Sequence, residues 1–224
     1  MSGQWQDTAA RKQAERQSRI PKAWLLPSSI NVDQDNVQHI PRECGILTPA
    51  EIRITEQHDA TSLVAALSKG TLTSKAVTTA FCKRAAIAQQ LTNCLTEILF
   101  DDAMERARSL DEEHRRTGKP KGPLHGLPIS LKDTFKIKGY DASIAIASLC
   151  FKPSTTNSAL VDLLLELGAV LYCKTNIPQT MMALDSHNNV FGRVRNPSHL
   201  ALTPGGSSGG EGALVGMRGS ILGK

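Results

Sequence analysis

Two features of this 224-residue chain carry residue types that can do chemistry together: a lysine and a glycine-rich run. Lys132 stands at the end of the apolar stretch Ile129-Ser130-Leu131, and Thr203-Pro-Gly-Gly-Ser-Ser-Gly-Gly-Glu-Gly212 leads into Ala213-Leu214-Val215. An ordinary lysine, with a pKa of about 10.4, is protonated at neutral pH, but desolvation beneath Ile129, Leu131 and Phe135 lowers that value and makes a base. A neutral lysine accepts a serine proton, and Ser–Lys pairs are one way of activating a hydroxyl. Glycines permit backbone N–H groups to converge, so the same loop offers donors for an oxyanion. The spacing leaves open whether Ser207 or Ser208 is the partner. The bland alternative is a lysine paired with its neighbour Asp133.

Competing chemistries fit less well. A phosphate-binding Walker loop needs Gly-Lys-Ser/Thr five residues after its first glycine, yet Arg218 stands five before Gly223. A dinucleotide fingerprint places its glycines directly after a buried strand, whereas here they follow Leu202-Thr203-Pro204. Gly206-Ser207-Ser208-Gly209-Gly210 matches a nucleophile elbow by letter, but that fold needs a histidine after the serine and the last one here is His199. No histidine has metal-ligand spacing, so no metal and no cofactor are expected. Basic residues from His114 through Lys121 end a helix, where cations favour the dipole, and aromatics are only 4% of the chain, too few for a stacking surface. Nucleic acid is not an expected partner.

The elements that must position the lysine and the loop follow from periodicity and caps. Residues 1 to about 20 form a charged helix stopped by Pro21, and Lys22 to Gly45 is an irregular tether. Residues 1–47 are thus a helix and tether, and 48–224 the main domain. Thr48-Pro49-Ala50-Glu51 is a capping box opening a short helix. Asp59 caps the next, which turns Leu63 and Leu67 inward before Gly70, and Thr73 starts a longer one through Ala76, Ala80, Phe81 and Ile87. Leu95 to Leu99 is a strand, and Asp101 caps a helix ending at Gly118. A turn from Gly118 to Pro128 delivers the second strand, Ile129 to Leu131. Ala159 to Leu167 is a helix closed by Gly168, Ala169 to Cys173 a strand buried on both faces, and Asn176 caps a helix containing Met181 and Met182. This alternation predicts an α/β fold with a largely parallel sheet, whose chemistry collects at the carboxyl ends of strands.

Composition agrees with one ordinary core: 40% hydrophobic and 21% charged residues, with 17 Gly and 11 Pro, sit near globular averages, which argues against disordered and disulfide-scaffold classes. No run approaches the roughly 20 apolar residues of a membrane span. The first twenty residues lack the apolar block of a secretory signal. Five scattered cysteines, odd in number and never as C-x-x-C, fit reduced thiols, so a cytoplasmic location is expected.

Four motifs in order, Gly122-Pro-Leu-His-Gly-Leu-Pro-Ile-Ser-Leu-Lys-Asp133, Lys174-Thr-Asn-Ile-Pro-Gln179, Asn196-Pro197 and Thr203 to Ala213, resemble the amidase signature family. The branch they resemble is that of fungal acetamidase-like general amidases, akin to fatty-acid amide hydrolases, from about Thr48 to Gly223. The resemblance implies a mostly parallel sheet flanked by helices and hydrolysis of a small-molecule amide by a Ser–Ser–Lys triad without a cofactor. It implies Lys132 as base, Ser207 as the bridging serine, Ser208 as its supporting neighbour on the substrate side, and Met181 in the acyl pocket. In the family, the stretch resembling Gly219 to Gly223 runs on into Gly-Thr-Asp-x-Gly-Gly-Ser-x-Arg, whose serine is the nucleophile. The chain is therefore expected to be the N-terminal fragment of an amidase, with an incomplete sheet and little or no turnover alone. The alternative is a non-catalytic fragment that binds amides or a partner. A further possibility, Ser207 or Ser208 as substitute nucleophile, would need an oxyanion hole from Gly205, Gly206 and Gly209.

Overall fold

In a computed structural model, residues 4–30 and 35–223 are described; residues 1–3 of the expected first helix, 31–34 of the expected tether and Lys224 lie outside them. Helix α1 spans Gln4–Ser18 and ends ahead of Pro21. It is no loose arm. Lys12 is buried with its Nζ 2.6 Å from Glu97, 2.8 Å from Asp141 and 2.9 Å from Glu15, and Arg16 donates to the Leu95 carbonyl at 2.6 Å. The tether folds in part, into a 3-10 turn at Lys22–Trp24 and the short helix α2, Ile40–Glu43.

Local signals in the next segment act as expected. Thr48 N donates to the Glu51 carboxylate at 2.7 Å and Glu51 N to Thr48 Oγ1 at 3.3 Å, closing the capping box of α3, Pro49–Glu56. Asp59 caps α4, Ala60–Ser68, whose Leu63 and Leu67 are buried. Thr73 caps α5, Ser74–Thr92, and a second acceptor arrives from outside the helix: Asp111 takes Ser74 N at 2.6 Å and Lys75 N at 2.9 Å.

Strand β1 (Leu95–Ile98) passes into α6 (Phe100–Thr117), which ends at Gly118 in a left-handed conformation. Asp101 does not cap this helix. Leu99 holds the cap position because its N–H stays on the sheet, bonded to the Tyr172 carbonyl at 3.0 Å, so Asp101 falls in the first turn and acts only through the dipole. Strand β2 is Pro128–Lys132, α7 is Ala159–Glu166 and β3 is Val170–Thr175, buried along its whole length.

These strands form a sheet in the order β1-β3-β2. The α/β core is as expected, but the sheet is mixed: β2 runs parallel to β3 and β1 antiparallel. The cause lies in α6, which continues in the sense of β1 and reaches the start of β3, where Arg106 Nε donates to the Ala169 carbonyl at 2.7 Å. Strand β2 therefore begins at the same end as β3. Only the β2–α7–β3 unit is a parallel crossover.

The helix expected after Asn176 does not form. Asn176 Oδ1 accepts from Ile177 N and from Asn188 Nδ2, its Nδ2 donates to the Asn93 carbonyl, and Ile177 precedes Pro178, which disfavours helical backbone. Met181 closes a 3-10 turn, Gln179–Met181, instead. A small hairpin of β4 (His187–Asn188) and β5 (Gly192–Arg193) follows, and α8, Gly209–Gly216, returns the chain to the sheet. All five cysteines are free and buried. Among the described residues, no helix is long and apolar enough to cross a membrane.

Asp111 ties two helices by satisfying first-turn N–H groups that otherwise need water. Asp111→Ala is expected to cost about 1–2 kcal/mol in urea unfolding, and Asp111→Asn less. No change in the midpoint would show that Thr73 alone supplies the cap.

Candidate active site

Strand β2 ends at Lys132, in register with Thr175 of β3. Successive strand residues point to opposite faces, so Lys132 and Asp133 part company. The Asp133 carboxylate accepts Thr96 Oγ1 at 2.7 Å, Ser143 Oγ at 3.0 Å and Ile144 N at 2.8 Å, and lies 3.4 Å from the buried Lys174 Nζ. The pairing of Lys132 with Asp133 weighed from the sequence is therefore not made. Lys132 Nζ instead donates to Ser207 Oγ at 2.8 Å and to Ser208 Oγ at 3.0 Å. Burial holds its pKa below the ordinary value of 10.5, against a smaller opposing pull from Glu211.

The glycine run is what brings the serines there. Gly205 adopts φ 87°, the Gly206–Ser207 peptide is cis, and Gly209 N donates to Ser186 Oγ at 2.9 Å. Gly210 N donates to the Asn176 carbonyl at 3.0 Å, and a Cβ at Gly210 would strike the Asn176 backbone and lie 2.6 Å from the Cys94 carbonyl. Only hydrogen fits at that position. Helix α8 thus starts directly against the ends of α5 and β3, with Ser207 half-buried and Ser208 exposed beside Lys132. Gly206 is pressed against the Ala183–Asp185 backbone, which joins the loop after β3 to the same cluster.

Met181 is not drawn into the lysine–serine hydrogen bonds; it is exposed, at φ 64°. The oxyanion hole imagined for a substitute nucleophile is weakened, because Gly205 N already donates to Thr203 Oγ1 at 3.0 Å and Gly209 N to Ser186. Two of its three amides are already committed, one within the loop and one to Ser186.

Sequence reasoning passed over Glu211. It lies in the first turn of α8, buried, with Oε2 2.9 Å from Ser130 Oγ and Oε1 3.3 Å from Thr175 Oγ1. Burial pushes its carboxyl up to about 7. The available signal was Ser130, a hydroxyl in the middle of an apolar strand, which demands a buried partner.

Residues 76–224 match the Amidase family. This chain belongs to the amidase signature family. It is 50% identical over 225 residues to an amidase of Gibberella moniliformis (strain M3125 / FGSC 7600), covering 98% of this chain and 42% of the relative. To the acetamidase of Emericella nidulans it is 47% identical, covering 100% of this chain and 40% of the relative. A solved fatty acid amide hydrolase superposes with a TM-score of 0.93 at 36% identity, covering 99% of this chain and 40% of that one. The chain thus spans about two fifths of the length of the curated relatives it matches.

The family glycines divide sharply by contact. Gly210→Ala is expected to cost about 3 kcal/mol or more, or to yield no folded protein, since backbone must move. Gly212→Ala, whose Cβ meets nothing nearer than 3.6 Å, is expected to be neutral or slightly stabilising. Thermal unfolding of the two variants checks the contrast, and equal midpoints would contradict it.

Proposed function

We propose that this chain supplies the base and bridging serine of an amidase that hydrolyses a carboxylic acid amide to a carboxylate and ammonia through a Ser–Ser–Lys triad. The observation that carries it is the 2.8 Å contact between Lys132 Nζ and Ser207 Oγ, made by a lysine with no carboxylate partner among the described residues. Neutral Lys132 takes the Ser207 proton as Ser207 takes that of an attacking serine. The serine oxygen bonds to the amide carbon, the relayed proton returns to the nitrogen, and ammonia leaves as the carbonyl reforms. Water then enters by the same relay and releases the carboxylate. By the resemblance, the attacking serine lies in sequence that follows residue 224, Ser208 supports the relay on the substrate side, and Met181 lines the acyl pocket. Five buried thiols with no disulfide support a cytoplasmic setting.

The test is ammonia release from a panel of simple amides by the 224-residue chain and by the same chain joined to the remainder of an acetamidase relative. Turnover is expected only from the longer protein, and Lys132→Met is expected to lower its kcat by about a thousandfold or more. Because the Lys132 pKa is depressed, its neutral fraction grows as pH rises through a value below 10.5, and kcat/KM should climb over that range. Full activity in Lys132→Met would sink the triad, and turnover by the 224-residue chain alone would move the nucleophile to Ser207 or Ser208. Amide binding with no turnover in the longer protein would favour a non-catalytic role.

A further inference from the structure

Three oxygen-to-oxygen contacts run in a line near Lys132, the first two buried and the third reaching the backbone of the exposed Leu222. Glu211 Oε2 is 2.9 Å from Ser130 Oγ, Ser130 Oγ is 2.8 Å from Ser220 Oγ, and Ser220 Oγ is 3.0 Å from the Leu222 carbonyl. Each is a hydrogen bond by distance, and each requires one proton. Two serine hydroxyls supply two protons, and the Leu222 carbonyl supplies none. With Glu211 ionised, one contact would be oxygen lone pairs facing each other at hydrogen-bond distance. A third proton on the carboxyl fills all three: Glu211 donates to Ser130, Ser130 to Ser220, and Ser220 to Leu222. Glu211 Oε1 then remains free to accept from Thr175 at 3.3 Å.

We propose that Glu211 is held as the neutral carboxylic acid below neutral pH, well above the range in which a glutamate ordinarily ionises, and that this makes it a positioning residue for Lys132. As an acid it clamps α8 to β2 and β3 and directs the Ser220–Leu222 segment along the free edge of β2, where Gly223 bridges Ser130. As an anion it would put a buried negative charge near Lys132 and favour the ammonium over the base. The groups facing it are few: Lys132 of β2, Tyr172 and Cys173 of β3, and Cys94 between α5 and β1. Burial holds both thiols and the phenol protonated, leaving Lys132 as the cation in this set. Consistent with the proton count, burial pushes the Glu211 carboxyl up to about 7. The consequence for catalysis rests on Lys132 being the base, but the protonation itself does not.

The experiment uses the 224-residue chain with ¹³C-carboxyl-labelled glutamate, titrated by NMR. Burial also pushes Glu97 up to about 7, so Glu97→Gln serves to leave one candidate. A carboxyl with a midpoint near 7 is expected to survive in E97Q and vanish in E211Q; should either variant fail to fold, the other decides against wild type, in which two such carboxyls are expected. If every glutamate in E97Q titrates in the ordinary range of about 4.3, the proposal is overturned. Carbamoylation of Lys132 by cyanate, which reacts with the neutral amine and is read by mass spectrometry, tests the coupling. E211Q and wild type should react alike at about pH 6, where the side chain at position 211 is neutral in both, and E211Q several-fold faster at about pH 8.5, where wild-type Glu211 is ionised. A ratio that does not change with pH overturns the effect on Lys132 whether or not the protein is an amidase.

Discussion

The tightest approach of backbone to a described glycine is at Gly210, where no side chain fits. There the first turn of α8 rests on the Asn176 backbone and near the Cys94 carbonyl, at a separation no Cβ tolerates. Asn176 follows β3 and Cys94 precedes β1, so the helix is fixed against two strands at once. Ser207 and Ser208 then have one place to go, over the end of β2, and the Glu211 carboxyl reaches down between β2 and β3. A lysine–serine contact of 2.8 Å between residues 75 apart in sequence is a product of that backbone approach. The hydroxyl–amine attraction alone, worth roughly 1 kcal/mol net, would not order a glycine-rich loop.

Strand alternation does the rest of the electrostatic work. Asp133 and Lys132 are adjacent in the chain yet face opposite sides of the sheet, and each side has its own economy of charge. On one side Asp133, Lys174, Asp141, Lys12 and Glu97 form a buried network that balances carboxylates against ammonium groups and brings α1 onto the core. Such networks are expensive to break, because removing one member strands another charge away from water. On the other side Lys132 meets hydroxyls. Two lysines in the same pair of strands thus differ in kind: Lys174 is a fully buried structural cation with carboxylate company, and Lys132 is a half-buried lysine whose partial desolvation lowers its pKa.

Much of this was legible in the sequence wherever the cause is local. The capping box at Thr48, the caps at Asp59 and Thr73, the left-handed stop at Gly118 and the fully buried third strand all depend on residues within a few positions of each other. Lys132 and the serine loop could be picked out because residue type and motif marked them, although spacing could not choose between two serines that both reach the lysine. What the sequence hid is long-range. Leu99 displaced Asp101 from the cap because its N–H belongs to the sheet, and β1 runs antiparallel because α6 does not turn back over the strands. Asn176 failed as a cap because Asn188 and Asn93, distant in sequence, claim its side chain.

Glu211 shows why buried polar residues are the hardest to read. In the sequence it is one acidic residue in a helix first turn, where a favourable dipole is sufficient explanation. In the structure its neighbours are Ser130 and Thr175, both inside the sheet, and the cost of burying a bare carboxylate there is large unless it is matched by a cation. Lys132 is the nearby cation, yet its ammonium hydrogen-bonds to Ser207 and Ser208 rather than to Glu211. Keeping the lysine for the serines leaves the glutamate to be neutralised by a proton, and the line of hydroxyls from Ser130 to Ser220 gives that proton a place to point. The same arrangement that frees Lys132 from a salt bridge therefore accounts for an acid buried near it, and links the two groups through the helix that carries the carboxyl and the loop before it that carries the serines.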